Sequence, residues 1–274
     1  MILSSLVAEF EKIWPSSHAE PWDVVGLVSG NSKREVKKIL LTVDLTEEVI
    51  SEAINLEVDL IFAHHPLLLK GINTVEESTS KGSLLSKLIK SDIALFAAHT
   101  NADVQRTGTS AALANALKLK NQRVLVETAP GLGLGIIGEL ENYSLGDLAG
   151  TLNQVLPATA TGVRVAGDFQ AKVSKIALCA GAGDSYLQVA LDAGADVFIT
   201  SDLRHHPAQE ILELAKARRQ SFFLIDISHW AAEYIWLEQA KADLNHLGLE
   251  TVISDIRTDV FDFLMNIPRS VNES

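Results

Sequence analysis

A single cysteine, Cys179, leaves no partner for an internal disulfide in this chain, so the fold must stand on packing. Cys179 sits inside the apolar run 176–180 with no charged neighbour to activate its thiol, and reads as a small core residue. Long apolar runs are missing as well. None approaches the ~18 residues of a membrane span, and no basic stretch followed by an apolar core opens the chain. The expectation is a cytoplasmic protein with no membrane partner. Positive charge is scarce: 23 Lys and Arg stand against 35 Asp and Glu, a formal net charge of −12. That balance weighs against gripping nucleic acid by its phosphates or an anionic membrane by its headgroups. The densest basic run, 216–219, reads as a solvated helix face.

What is present suits a globular protein: 47% hydrophobic and 21% charged residues over 274 positions, enough for one domain or two. Leu3, Leu6, Val7, Phe10, Ile13 and Trp14 form one helical stripe that Pro15 ends. Trp22 in the following loop reads as a packing anchor, and Asp23 as a turn-stabilising residue that could also orient a neighbour. A strand over 38–43 precedes a helix capped by Thr46, with Glu47 and Glu48 at its positive end. Two further apolar strands, near 60–63 and 93–98, flank a helix around 84–89. A helix over about 110–119 and an apolar stretch at 124–126 complete the first half. Gly131, Gly133, Gly135 and Gly138 suggest a flexible joint, with a boundary between 1–128 and 129–274. The Gly133-Leu134-Gly135-Ile136-Ile137-Gly138 spacing matches a dinucleotide fingerprint, but a polar loop follows it where a helix is required.

The second half copies the first. Lys38-Ile39-Leu40-Leu41 aligns with Lys175-Ile176-Ala177-Leu178, Gly30 with Gly167, and Asp59-Leu60-Ile61-Phe62 with Asp196-Val197-Phe198-Ile199, all at an offset of 137. Further on, His99 and Asp103 align with His229 and Glu233 at an offset of 130. The pattern implies a duplicated α/β unit of form α-β-(βα)3 with mixed, mostly parallel sheets.

Candidate chemistry collects at the strand ends. Leu60-Ile61-Phe62-Ala63 runs into His64-His65-Pro66, and ligands in open α/β sheets bind beyond the carboxyl ends of strands. His64 and His65 align with Ser201 and Asp202, so that pair is not duplicated and any site using it is asymmetric. Neighbouring strand residues point to opposite faces, so two adjacent histidines suit two ions. His64, His65, Asp103, His229 and Glu233 could hold such a pair, with Glu233 as the bridge. Imidazole with carboxylate selects Zn, Mn, Fe or Co. A bridging hydroxide would then be the nucleophile of a hydrolase, and His99 would serve behind the ligands or in proton transfer. His205 and His206 do not align with the first pair and are read as helix-start residues or cleft lining, not ligands.

These residues resemble the YbgI/NIF-three-like family, whose members are often labelled GTP cyclohydrolase 1 type 2 homologues. The matching motifs are Trp22-Asp23-x-x-Gly26-Leu27, His64-His65-Pro66 with Lys70-Gly71, His99-Thr100-Asn101-x-Asp103, Thr200-x-Asp202 with His206, and Asp226-x-x-His229-x-x-x-Glu233. The resemblance implies two intertwined α/β domains with a two-metal centre in the cleft between them, held by the same five ligands. It also implies a ring-shaped homohexamer and action on a small molecule, with GTP ring opening suggested by the label alone. A metal-dependent scaffold, metal carrier or regulatory partner is the competing function. Val24, Ser228 and Trp230 depart from the common pattern, Trp230 at a position where it would alter access to the metals.

Overall fold

Short strands with no polar face must be covered on both sides, and the sequence supplies several. Every residue of Leu60–Ala63, Ala94–Ala97 and Val197–Ser201 is buried, as expected of central parallel strands flanked by helices. The computed structural model describes residues 1–265. The chain begins α1 (Leu3–Ile13), β1 (Gly26–Ser29), β2 (Lys38–Thr42), α2 (Glu47–Asn55), β3 (Leu60–Ala63) and α3 (Ser80–Lys90). It continues β4 (Ala94–Ala97), α4 (Thr100–Asp103), α5 (Thr109–Ala116), β5 (Lys120–Ala129), β6 (Leu132–Ser144) and α6 (Leu145–Val155). Next come β7 (Val163–Ala166), β8 (Lys172–Ala182), α7 (Leu187–Asp192), β9 (Val197–Ser201) and α8 (His205–Ala217). The last elements are β10 (Phe223–Ile227), α9 (His229–Tyr234), α10 (Trp236–Leu244) and β11 (Glu250–Ile253).

Two sheets result, ordered β1-β4-β3-β2-β11 and β7-β10-β9-β8-β6-β5. In each, three central strands run parallel and the first strand of the copy joins antiparallel at one edge. The far edges differ. β11 adds parallel to β2, whereas β6 adds antiparallel to β8 as half of a hairpin with β5. The last strand among the described residues thus returns to the first sheet, and the two units interlock.

The duplication extends to single hydrogen bonds. Asp59 accepts from the backbone N–H groups of Lys37 and Lys38 at 2.8 and 3.1 Å. Asp196 does the same for Ser174 and Lys175 at 2.8 Å each. Both carboxylates tie the start of one central strand to its neighbour. Strand register refines the alignment further on. Leu60 pairs with Ala94 and Val197 with Phe223, one residue short of the offset of 130. His99 therefore coincides with Ser228, each the N-cap of its helix, and His229 and Glu233 sit one position later.

The glycine-rich segment is not a joint. It lies within β6, and the turn before it is Pro130-Gly131, with Gly131 at φ +73°. Gly133 and Gly135 also take positive φ, at sites where a Cβ would strike Val126 O and Leu178 O, so the glycines let neighbouring strands approach. The expected boundary at 128/129 falls within this hairpin, all of which belongs to the second sheet. Cys179 is buried on β8, where burial pushes its thiol up to about 12.

The halves share one aromatic core. Phe10 and Trp14 of α1 pack on Phe62 and Phe96 of the first sheet, and Trp236 of α10 reaches across to Trp14 and Phe62. The Trp236 indole donates to Thr107 O at 3.0 Å, which fixes α10 on the loop after α4. Replacing Asp59 or Asp196 by Ala should cost about 1–2 kcal/mol each. The losses should add in the double variant, because the residues serve different sheets; urea denaturation of the three variants measures this.

Candidate metal centre

β3 delivers its histidines before the chain turns. His64 N and His65 N still donate to Thr42 O and Val43 O at 3.0 and 2.9 Å, so the ladder with the β2 side outlasts the strand itself. Pro66 follows. α9 supplies the opposing wall: Ser228 caps it by accepting from Ala231 N, and His229 and Glu233, four apart, share a face. His229 Nε2 lies 3.0 Å from Glu233 Oε1. His64 Nε2 is 3.5 Å from the same oxygen, and His65 Nε2 is 3.0 Å from Oε2. Asp103, at the end of α4, stands 3.6 Å from His64 Nε2 and accepts from the Thr109 hydroxyl. His64, His65 and His229 meet around the Glu233 carboxylate, and Asp103 joins the cluster through His64. The pleat argument for opposite faces does not hold here, since both rings lie beyond Ala63, where β3 ends.

The other ring nitrogens are all occupied. His64 Nδ1 donates to Ala98 O at 2.9 Å, His65 Nδ1 to Asp44 at 2.7 Å and His229 Nδ1 to Asp202 at 2.7 Å. In the neutral ring this tautomer leaves the Nε2 lone pair facing the centre, the arrangement that metal-binding histidines use. His99 is held the same way by Asp23 at 3.0 Å, and its ring lies 5.2 Å from His64 and 5.4 Å from His65. Ligand atoms of His64, His65 and His99 fall within 4.8 Å of one another, as do those of His65, His229 and Glu233.

Charge is arranged to match. Burial alone would lower the His65 and His229 imidazoles, yet the Glu233 carboxylate reverses this and raises them to about 10 and about 11, with Asp44 and Asp202 assisting. Burial opposes ionisation of Glu233 too, but the facing His65, His229 and His64 hold it well below the ordinary carboxylate range. Asp103 goes the other way, raised by burial and by Glu233 against the pull of His64.

The residues fit a metal. His64 Nε2 is buried with no hydrogen-bond partner among the described residues, a costly condition that a cation between it and Glu233 would relieve. Gly181, at φ +76°, makes the room: a Cβ there would lie 2.6 Å from Glu233 Oε1 and 3.4 Å from His229 Nε2. A cavity of about 480 Å³ opens beside the cluster, walled by His65, His99, His229, Glu233, Trp22 and Tyr186 among others.

Sequence reasoning missed several supports. Asp44, just beyond β2, and Gly181, near the end of β8, stand at equivalent positions of the two copies, and their strand-end placement was the available signal. Asp202, quoted only as a motif residue, orients His229. Asp23, read as a turn residue able to orient a neighbour, does orient one: it accepts from His99, Thr100 N and the Thr100 hydroxyl, and these bonds overcome burial and bring it to about 2. Trp22 is not a packing anchor: it is 58% exposed, at the cavity wall, edge-on to His99. Trp230 packs into the aromatic core against Tyr234 and does not line this cavity. His205 and His206 start α8 away from the cluster. A last pair of contacts comes from the segment after β11: Thr258 donates to Asp44 at 2.6 Å, and Asp259 accepts from the Ser228 hydroxyl.

Comparisons with known proteins place the chain in a family. The model of the Duf34/NIF3 (NGG1p interacting factor 3) family matches residues 1–260. A Streptomyces coelicolor protein named GTP cyclohydrolase 1 type 2 homolog is 43% identical over 251 residues, covering 90% of this chain and 86% of its own. A Mycobacterium leprae protein of the same name aligns over 384 positions, more than this chain has, at 29% identity; it spans 99% of this chain and 98% of itself, and so carries a segment absent here. Among solved structures, a Bacillus cereus protein related to NIF3 superposes with a TM-score of 0.85 at 25% identity, over 96% of this chain and 99% of its own. On the family match along residues 1–260 and the close relative in Streptomyces, this chain belongs to the Duf34/NIF3 family.

Proposed function

We propose that this chain holds two divalent transition-metal ions in the cleft between its repeats and acts as a metal-dependent hydrolase of a small molecule. Zn, Mn, Fe and Co all suit the donor set. His64, His65, Asp103, His229 and Glu233 would hold the ions, Glu233 between them. The observation that carries this reading is the buried Nε2 of His64, which has no hydrogen-bond partner among the described residues and lies 3.5 Å from a Glu233 carboxylate oxygen. When bound, such ions supply Lewis acidity and bring the pKa of water toward ~7. The chain's own share is to fix each ring through Nδ1, to keep Glu233 ionised, and to wall a cavity of about 480 Å³, within the usual range for a small ligand. His99 is tethered by Asp23, and its Nε2 has no hydrogen bond to a described residue. It can take or give a proton at the cavity wall.

The name carried by the relatives makes opening of the GTP purine ring the first reaction to test. Assembly as a toroidal homohexamer and a cytoplasmic location are proposed on the family likeness; among the described residues no helix is long and apolar enough to cross a membrane. A second reading has its own support. The ligands come from both repeats, so bound ions would cross-link them, as a metal-dependent scaffold, carrier or regulatory protein would need.

Elemental analysis of gently purified protein should give close to two transition-metal ions per chain; well under one removes the reading. Chelation should lower the melting temperature, since an ion at a hundredfold excess over its Kd stabilises by about 2.7 kcal/mol per site. Glu233→Gln should abolish hydrolysis in a nucleotide and phosphoester screen while light scattering shows the same assembly. No turnover by the parent, with assembly lost in His64→Ala, selects the scaffold.

A further inference from the structure

A second cavity, also about 480 Å³, adjoins the first and shares Asp103 and Ser110 with it. It lies between the α4–α5 segment and the β5–β6 hairpin, and its cationic side chains are Arg106 and Arg123. In this acidic chain most guanidinium groups are taken. Arg34, Arg164, Arg204, Arg218 and Arg257 each pair with a carboxylate. Arg106, Arg123 and Arg219 make no ion pair or side-chain hydrogen bond among the described residues, and two of these three face this one cavity.

Two carboxylates share its wall, each with a contact of its own. Glu127 accepts from Gly131 N at 2.8 Å, holding the hairpin turn, and Asp103 faces His64 and Thr109. The wall itself is tied down, since Gly133 N donates to Val104 O at 3.0 Å and so joins the end of α4 to β6. Gly131 has no side chain where one would press on Arg106: a Cβ there would lie 2.7 Å from Nη2. The guanidinium therefore lies over the turn with its donors unspent.

We propose that Arg106 and Arg123 form an anion subsite that receives the phosphate group of a small-molecule substrate, with the rest of that molecule reaching the metal cavity past Asp103 and Ser110. Two guanidinium charges match a phosphate dianion, and their planar forks suit its oxygens. The reach toward the metals rests on the hydrolase reading above; the anion subsite does not.

Calorimetric titration with inorganic pyrophosphate at low salt tests this on the metal-loaded chain. Changing Arg106→Gln together with Arg123→Gln should weaken binding at least about tenfold, with metal content unchanged. Arg219→Gln should bind like the parent, and succinate should bind more weakly than pyrophosphate. Chelated protein should keep the arginine-dependent binding. Both arginines are exposed, so the single variants should fold and each report separately. Three results would overturn the proposal: no measurable binding, parent-like binding by the double variant, or loss of all binding on chelation, which would give the anion to the metals. Failure of the hydrolase reading looks different: arginine-dependent binding persists while no substrate is turned over.

Discussion

A carboxylate buried among imidazoles is the constraint on which this molecule turns. Glu233 has almost no access to solvent, and an isolated carboxylate there would be intolerable. Three rings at 3.0–3.5 Å compensate it. That compensation requires positive charge at the centre, either protons on the rings or cations among them, and metal uptake at such a cluster displaces protons. The ring tethers, the glycine at 181 and the serine cap of α9 all serve to keep this cluster aimed. Each is cheap alone; together they allow a charge to remain deep in the protein.

Duplication explains how one site arises from two copies. Corresponding strand ends of the two sheets face one another across the cleft, but their residues have diverged. Where the first copy places Asp44, His64 and His65, the second has Gly181, Ser201 and Asp202. The first copy contributes His64, His65, His99 and Asp103, with Asp44 behind His65 and Asp23 behind His99. The other contributes space, a carboxylate behind His229, and the helix that bears Glu233. Two equal sites would need two buried carboxylates, with twice the desolvation penalty.

Much of this was legible in the sequence. Apolar runs ending in His64-His65 and in His99, with the register shared by Asp59 and Asp196, disclosed the parallel strands and their repetition. The convergence of the candidate ligands could be anticipated because imidazole and carboxylate side chains recur at strand ends that one fold brings together. Illegible were features whose signal is not local. Glycines at 131–138 look like a hinge, yet they permit close strand approach, a matter of what lies opposite. Asp44 and Asp202 look like ordinary loop acids until the rings they hold are in place. The single-residue slip between His99 and His229 escaped because the motif H-x-x-x-acid survives it, whereas the strand pairing does not.

The segment after β11 clasps the site from outside, through Thr258 on Asp44 and Asp259 on Ser228. One contact braces the support of His65, the other the cap of the helix bearing His229 and Glu233. These residues are separated by more than two hundred positions on one side and about thirty on the other. During vectorial synthesis, then, the early histidines emerge from the ribosome long before their counterparts, and the brace comes after both. Any ion captured by the nascent chain would meet an open half-shell, since the candidate ligands are complete only once residue 233 has been made and the outer brace only once residue 259 has.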